Sequence, residues 1–240
     1  MKKNLLVLAF LVGLLTCCKS EDAPIKPVKP TDPGSINKEY MSRAETTFAN
    51  IFKYYWSDKV RMMFGSYPNT LGTPQEPSSP DYDSHAFLWG LGSVVSAFNA
   101  IVQNTDNVDF RMTYESRLKE TLLKYYNTTK EPMCFGCFVN PHDQRLYDDA
   151  IWVGIDLADL YSKTKDSWYL DYAKSVWNFV LSGKDDELGG GVYWDENAKD
   201  SKNTCSNAPA VVLALKLYQI TNDAAYLENG KDIYKWTKSK

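Results

Sequence analysis

Helical segments of two kinds alternate along the sequence. Some are amphipathic, with apolar residues on one stripe, and others are apolar on most sides. The amphipathic segments are 38–56, 109–127, 166–182 and 223–237, and the apolar ones are 84–103, 147–162 and 204–220. A helix without a polar face must be covered by neighbouring helices. The sequence therefore predicts an all-α fold of about seven helices, with buried inner helices and amphipathic outer ones.

The connections between these helices follow the same alternation. Links after the apolar helices are short, and links after the amphipathic helices are long, at 57–83, 128–146 and 183–203. The apolar helices begin near residues 85, 147 and 204, a repeat of about 60 residues that is typical of stacked helical hairpins. This repeat predicts an α-toroid with an inner and an outer ring of helices. All long loops would then leave one face, where we expect the functional site.

Composition narrows the class of ligand. The 27 basic residues are fewer than the 30 acidic ones, and the net charge of −3 disfavours a nucleic-acid partner. Seven Trp, 16 Tyr and 10 Phe exceed what core packing needs, so stacking surfaces for a ring-shaped ligand are one use for them.

The first residues have the pattern of an export signal. Lys2 and Lys3 precede a short apolar run, and the run ends at Cys17 and Cys18 as in a bacterial lipoprotein cleavage box. We expect residues 1–17 to be a signal peptide and Cys17 or Cys18 to be lipidated, which anchors the protein to the bacterial outer membrane. A simple cleaved signal with two incidental cysteines is the alternative.

A proline-rich segment follows the signal. Residues 18–35 carry a proline at every third position from Pro24 to Pro33, which favours an extended stalk. The globular region is then expected to span 36–240.

Two adjacent aspartates open the second apolar helix. Asp148 and Asp149 stand between Tyr147 and Trp152, on the expected long-loop face. Acidic residues at a helix N-terminus can simply complement the helix dipole. A pair in its first turn can also bring two carboxyl groups to about 5 Å, the separation that a retaining glycosidase uses. Repulsion between them would keep one protonated, as a general acid requires.

Several motifs resemble glycoside hydrolase family 76, the endo-α-1,6-mannanases. They are Tyr147-Asp148-Asp149 with Trp152, Ala86-Phe87-Leu88-Trp89 followed by Ser93 to Asn99, Gly190-Gly191-Val192-Tyr193-Trp194, and Lys202-Asn203-Thr204-Cys205-Ser206-Asn207. The resemblance covers about 85–215. It implies an (α/α)6 toroid, a retaining mechanism, and α-mannan or manno-oligosaccharides as partners. By position, Asp148 would be the nucleophile and Asp149 the acid/base.

Residues around the pair are candidates for sugar contacts. Aromatic faces pack on a pyranose ring and amides bind its hydroxyl groups, which selects Tyr147, Trp152, Trp194, Asn203 and Asn207. Core packing is the alternative for each aromatic. We expect no cofactor, no metal and a monomer.

The helix count departs from the family pattern. A complete (α/α)6 toroid has twelve helices, whereas seven are predicted here, so a fragment or an incomplete ring is expected. An inactive glycan-binding remnant and a transglycosylase that uses the same aspartates are therefore kept as alternatives.

The cysteines allow one further hypothesis. Cys134 and Cys137 form a CxxC motif, for which a local disulfide is favoured in an exported protein, with Cys205 left free. A zinc site would need further ligands, for which only Cys205, His85 and His142 remain. His142 could also touch a substrate, although a solvated loop residue is the simpler interpretation.

Overall fold

The computed structural model describes residues 33–68, 85–139 and 144–240. The chain divides into two units, residues 1–38 and 39–240. Of the first unit only 33–38 are described, and they are helical. The signal segment, Cys17, Cys18, His142 and most of the proline-rich stalk therefore lie outside the described residues.

The described residues contain seven α-helices, each within a few residues of its predicted bounds. They are α1 (Pro33–Tyr55), α2 (Leu88–Asn104), α3 (Val108–Tyr125), α4 (Tyr147–Thr164), α5 (Ser167–Ser182), α6 (Thr204–Thr221) and α7 (Ala224–Lys238). The first helix starts at Pro33, so residues 33–35 of the predicted stalk are helical instead. Proline is well suited to a first helical position, where its missing N–H group would have no partner.

The helices form two layers within residues 39–240. Helix α4 packs against both α2 and α6, and α5 and α7 pack against the backs of α4 and α6. Helix α4 is buried on nearly all sides because residues such as Ala150, Val153, Leu157 and Leu160 contact neighbours on every flank. The predicted alternation of inner and outer helices is thereby confirmed.

The outer helices and the inner helices begin differently. The outer helices α3, α5 and α7 are preceded by the N-cap residues Asn107, Asp166 and Asp223. Their side chains accept hydrogen bonds from backbone amides of the first turn. The inner helices α2, α4 and α6 have no such side-chain cap. Their first amide groups are therefore available to the long loops.

The long connections all start with a short antiparallel pairing. We call them loop 1 (residues 56–87), loop 2 (126–146) and loop 3 (183–203). Loop 1 pairs β1 (Trp56–Ser57) with β2 (Met62–Met63), and loop 2 pairs β3 (Tyr126–Asn127) with β4 (Cys134–Phe135). Loop 3 has an internal bridge between Lys184 and Val192, and a 3-10 turn at Glu187–Gly189.

The loops meet one another at the start of the inner helices. The amide of Leu88, at the start of α2, donates to the carbonyl oxygen of Cys137 in loop 2 at 2.9 Å. The amide of Tyr147, at the start of α4, donates in the same way to Trp194 in loop 3, also at 2.9 Å. The predicted common face of the long loops is therefore present.

A polar network fixes the inner helices relative to each other. The buried carboxylate of Asp156 on α4 accepts hydrogen bonds from Ser96 (2.5 Å) and Asn99 (2.8 Å) on α2. One turn further, Asp159 pairs with Lys216 of α6 at 2.5 Å. Because a buried polar group must find partners, this network favours a single register between α2, α4 and α6.

Candidate active site

The two aspartates predicted to be catalytic lie half-buried in the first turn of α4. The positive end of the helix dipole favours negative charge at this position. One carboxylate oxygen of Asp148 accepts from the amide of Asp149 at 3.0 Å, and the other accepts from the indole Nε1 of Trp194 at 3.2 Å. Asp148 is thus held as a hydrogen-bond acceptor.

Asp149 has different surroundings. Its carboxyl group lines a pocket between α2 and α4. Burial, followed by the charge of Asp148, raises the pKa of Asp149 to about 6. Near neutral pH this group can therefore exchange a proton, as an acid/base catalyst must.

The pocket beside Asp149 has a volume of about 200 Å³. It is lined by Leu88, Trp89, Gly92, Ser93, Ser96, Asp149 and Trp152. Trp89 and Trp152 are 56% and 44% exposed, so their apolar faces remain available to a ligand. Two indoles, two hydroxyl groups and a carboxyl group form a surface suited to a pyranose ring.

Trp152 and Trp194 lie at the surface beside the aspartates, Trp152 in the pocket with Asp149 and Trp194 against Asp148. Trp194 is 37% exposed. Its backbone is fixed by loop 3, since its amide donates to the Ser201 carbonyl at 3.2 Å and its carbonyl accepts from Tyr147. Asn203 is also exposed, immediately before α6.

Tyr147 does not face the site. Its side chain is 1% exposed and stacks on Phe179, with ring centroids 4.3 Å apart and an angle of 16° between the planes. Gly183 makes room for this ring, because a Cβ atom there would lie 2.4 Å from Tyr147 Cζ. The prediction that Tyr147 contacts a sugar is therefore wrong. Its side chain packs the first turn of α4 against the core.

Asn207 is also buried, with no exposed surface. Its Oδ1 accepts from the Val192 amide at 2.7 Å, and its Nδ2 donates to the Val192 carbonyl at 2.8 Å and to the Asn203 carbonyl at 2.9 Å. The amide is fully used in tying loop 3 to α6, so we do not assign it to sugar binding.

Three pocket residues with aromatic or polar side chains were not among the predicted site residues. Trp89, Ser93 and Ser96 lie at positions i, i+4 and i+7 of α2, which places them on one helix face. The sequence did contain a pattern that could have indicated them, since an aromatic residue is followed by small polar residues within an otherwise apolar helix.

A buried ion pair joins the chain segment before Asp148 to the segment after Trp194. Arg145, with a fully buried side chain, binds both carboxylate oxygens of Glu196 in loop 3. Its guanidinium group also donates to the Pro132 carbonyl of loop 2 at 2.7 Å. Arg145 precedes Asp148 by three residues and Glu196 follows Trp194 by two, so this pair holds the two segments together.

The predicted disulfide is not formed, because Cys134 and Cys137 are both free thiols. Their side chains have different neighbours. Cys134 is buried near Arg145 and Glu196, whereas Cys137 lies nearer to Asp149. Cys205 is free as predicted.

Among the described residues, no group of three or more His, Cys, Asp or Glu side chains is arranged to hold a metal ion. None of the helices that the structure describes combines the length and the apolar character needed to cross a membrane.

A comparison with protein-family models matches residues 39–240 to glycosyl hydrolase family 76. Curated proteins give no significant match.

Solved structures of this family have the same fold. A family 76 mannosidase from Bacteroides thetaiotaomicron VPI-5482 aligns with a TM-score of 0.72 and 26% identity, over 82% of this chain and 53% of that one. A family 76 glycoside hydrolase from a bovine strain of that species gives 0.71 and 29%, over 83% and 42%.

A more distant structure is an α-1,6-mannanase from Salegentibacter sp. HEL1_6, with a TM-score of 0.64 and 23% identity over 85% and 52% of the two chains. An inactive variant of that enzyme, with two adjacent aspartates changed to asparagine, is in complex with α-1,6-mannotriose. The chain thus spans about half the length of these similar structures.

Proposed function

The chain belongs to glycosyl hydrolase family 76, and from this we propose that it is a retaining glycosidase that cleaves α-1,6-mannosidic bonds in mannan. The observation that carries the proposal is the unequal pair of carboxyl groups at the start of α4. Asp148 accepts hydrogen bonds from Trp194 and from the Asp149 amide, while Asp149 lines the aromatic pocket with a raised pKa.

The two roles follow from these surroundings. In the first step an oxygen of Asp148 attacks the anomeric carbon, and Asp149 gives its proton to the leaving glycosidic oxygen as the bond to carbon breaks. A covalent glycosyl ester on Asp148 results. In the second step the Asp149 carboxylate takes a proton from water, whose oxygen attacks the same carbon and releases Asp148. Two inversions leave the configuration unchanged.

The similar structures support the choice of substrate. The Salegentibacter protein is an α-1,6-mannanase, and its inactive variants carry changes at two adjacent aspartates. Asp148 and Asp149 are an adjacent pair in this chain. We assign sugar contacts to Trp89 and Trp152 in the pocket and to Trp194 and Asn203 on the loop 3 side.

Release of reducing ends from unbranched α-1,6-mannan tests the proposal. Asp148→Asn and Asp149→Asn should each lower kcat by at least about 10³-fold, because each removes a group used in the chemical steps. Asp200→Asn, at an exposed position of loop 3, is the matched control and should keep the wild-type rate. Hydrolysis followed by NMR of the anomeric protons should show the α-anomer first. Wild-type rates in both site variants, or a β-anomer as the first product, would contradict the assignment.

A glycan-binding protein without turnover is the second candidate. It is favoured by the inactive variant of the Salegentibacter enzyme, which is in complex with α-1,6-mannotriose, so that sugar binding does not require turnover. Calorimetry with α-1,6-mannotriose separates the two, since a binding protein would bind the sugar and release no product. Transfer to a sugar acceptor in place of water would instead give longer oligomers, which mass spectrometry of the products detects.

We also propose export and lipid anchoring to the bacterial outer membrane, on the sequence of residues 1–18. Growth of the expressing cells with a labelled fatty acid tests this. Cys17→Ser and Cys18→Ser, made singly, should show which cysteine takes the label. Equal labelling of both single variants and the double variant would contradict the proposal.

A further inference from the structure

A row of polar side chains runs between α2 and α4 and begins at the pocket beside Asp149. Ser96, which lines that pocket, donates from its Oγ to Asp156 Oδ2 at 2.5 Å. Asn99 Nδ2 donates to the other carboxylate oxygen, Oδ1, at 2.8 Å. Gln103 Nε2 in turn donates to Asn99 Oδ1 at 3.0 Å. The three donors follow one another at intervals of three and four residues on α2, so they lie on one face of the helix.

The far end of this row fixes the direction of each hydrogen bond in it. Gln103 Nε2 also donates to the backbone carbonyl oxygen of Asp159 at 3.0 Å, and a carbonyl oxygen can only accept. The amide nitrogen of Gln103 therefore faces Asn99, which must be bonded through its own amide oxygen. The nitrogen of Asn99 is then directed at Asp156, whose carboxylate accepts on both of its oxygens.

The Asp156 carboxylate depends on these donors because it is buried. Burial raises the pKa of Asp156, and the hydrogen bonds from Ser96 and Asn99 lower it. The negative charge of Asp159 on α4 raises the pKa of Asp156, and the positive charge of Lys216 on α6 lowers it.

The proton of Ser96 is thereby committed to Asp156. A serine hydroxyl group has one proton and two lone pairs, so the Ser96 oxygen has only lone pairs left to offer to the pocket. Ser93, in the same pocket, differs, because it donates to the Trp89 carbonyl at 3.3 Å. A long hydrogen bond to a neutral group is weaker than a short one to a carboxylate, so the Ser93 hydroxyl can turn to a ligand as a donor.

We propose that Ser96 determines specificity in the pocket by accepting a hydrogen bond from one sugar hydroxyl group, and that Asp156 and Asn99 are positioning residues that hold Ser96 as an acceptor. This role rests on the proposed function for the class of ligand, a mannoside. A ligand that has no donor at this point leaves the Ser96 oxygen unpaired in a largely apolar pocket and is disfavoured for that reason.

The test is calorimetry with analogues of α-1,6-mannobiose in which one hydroxyl group at a time is replaced by hydrogen or by fluorine. Fluorine can accept a hydrogen bond but cannot donate one. Binding is measured in an Asp148→Asn background, which prevents turnover and changes no residue that lines the pocket. At one hydroxyl position both replacements should weaken binding by about 3–10-fold.

Ser96→Ala in the same background should abolish both losses at that position. Ser162→Ala is the matched control, because Ser162 is an exposed serine of α4 whose hydroxyl group donates to the Ala158 carbonyl at 3.0 Å. It should keep both losses. If the fluorine analogue bound as tightly as the parent sugar at the position that is sensitive to Ser96→Ala, Ser96 would be a donor and the proposal would be wrong.

Asp156→Asn tests the positioning role by reversing one hydrogen bond. Since Asn99 donates to Oδ1 of residue 156, the new amide should turn its nitrogen towards Ser96. Ser96 then accepts this hydrogen bond and is free to donate to the pocket. In this variant the fluorine analogue should bind at least about 2-fold more tightly than the deoxy analogue. A merely structural role of Asp156 would weaken both analogues together, and equal affinities in the folded variant would contradict the positioning role.

Failure of this proposal and failure of the proposed function give different results. Hydrolysis of mannan by the wild-type protein, with no hydroxyl position whose contribution to binding depends on Ser96, would overturn the role of Ser96 alone. Dependence on Ser96 at one hydroxyl position, with no hydrolysis by the wild-type protein, would support that role and overturn the assignment as a hydrolase.

A second measurement needs neither a ligand nor a folded Asp156→Asn variant. The carboxyl group of Asp156 is titrated by ¹³C NMR in protein labelled at its aspartates, with the signal assigned through the backbone resonances. Ser96→Ala removes one donor to the ionised form and should raise the pKa of Asp156 by about 0.5–1 unit. Ser162→Ala should leave this pKa unchanged. An unchanged pKa in Ser96→Ala would overturn the fixed direction of the Ser96 hydroxyl group whether or not the protein binds a sugar.

Discussion

Single residues decide how the two aspartates differ. They are neighbours in sequence and share one helix turn, yet Asp148 accepts a hydrogen bond from an indole N–H while Asp149 lines a pocket and has a pKa raised by burial. A carboxylate with fewer donors is less stable as an ion. The difference between the two carboxyl groups is therefore set by Trp194 of loop 3 and by the pocket beside α2, and not by helix α4 alone.

The raised pKa of Asp149 makes a prediction about stability. An unfolded aspartate has a pKa near 3.9, so the folded state holds its proton more tightly and its stability falls as pH rises from about 4 to about 6. Asp149→Asn removes this cost. At pH 7 we expect it to raise the free energy of unfolding by about 1–2 kcal/mol, reduced from the full shift because the group is only half-buried. Below pH 4 the gain should vanish.

Urea unfolding at pH 3.5 and pH 7 measures this difference. Asp200→Asn, an exposed site, is the control and should change the free energy of unfolding by less than about 0.5 kcal/mol at both values. A gain in Asp149→Asn that is equal at the two pH values would show that ionisation is not its cause.

Two asparagines at the start of α6 give a second prediction. Asn207→Ala should lower the free energy of unfolding by about 2–4 kcal/mol, since it leaves the buried amide and carbonyl of Val192 without partners. Asn203→Ala removes an exposed side chain and should cost less than about 1 kcal/mol. Chemical denaturation of both variants checks the assignment. Similar losses of unfolding free energy in the two variants would mean that the Asn203 side chain also contributes to the packed structure.

The residues of the candidate site differ in how well their positions could be predicted from the sequence. The aspartate pair could be predicted because two adjacent acidic residues open an apolar helix on the face from which the long loops leave. Burial of Tyr147 could not, since the space for its ring depends on Gly183, 36 positions further along the chain. Trp89 was missed because helix α2 as a whole is apolar, and only the three-dimensional position of its first turn shows that this indole borders a pocket.

At the scale of elements, the helices were predictable and the loops were not. Helix bounds follow from the local periodicity of apolar residues and from N-cap residues such as Asn107, Asp166 and Asp223. Loop contacts such as Arg145 with Glu196 join residues 51 positions apart, for which the sequence carries no local pattern.

The Arg145–Glu196 pair makes a prediction at this scale. Arg145→Met leaves the Glu196 carboxylate, 13% exposed, without its main partner, and should lower the free energy of unfolding by about 3–5 kcal/mol. Arg43→Met, which breaks the exposed pair of Arg43 with Glu39, should cost less than about 1 kcal/mol. Denaturant unfolding measures both.

A further substitution separates the pair from the loss of packing. Glu196→Gln added to Arg145→Met removes the unpaired charge and should recover part of the stability. No recovery would mean that the arginine acts through its volume and its stacking on Phe179.

At the scale of the whole molecule, the position of the aspartates within the repeats is informative. The described unit has three inner helices, and the pair stands on the middle one, α4. Helix α2 lines the pocket on the Asp149 side of the pair, and Trp194 of loop 3 contacts Asp148 on the other side. The two carboxyl groups therefore lie where elements of neighbouring repeats meet.

The packing of this middle helix is closest at Gly154, where α4, α5 and α6 meet. A Cβ atom there would lie 2.9 Å from Val176 Cγ1 on α5 and 3.1 Å from Leu213 Cδ2 on α6. Gly154→Ala should therefore lower the free energy of unfolding by about 1–3 kcal/mol, although alanine is the better helix former. For a domain of this size the midpoint of thermal unfolding would fall by roughly 2–4 °C per kcal/mol.

Gly92 on α2 is the matched control for Gly154. Its added Cβ would meet only Val153 Cγ2 at 3.7 Å, an ordinary contact, so Gly92→Ala should raise the free energy of unfolding by about 0.5–1 kcal/mol. Circular dichroism in the far and near ultraviolet should report one common transition for each variant, because residues 39–240 form one unit. If Gly154→Ala were stabilised as much as Gly92→Ala, the three helices would be too loosely packed to hold the aspartates in a fixed geometry.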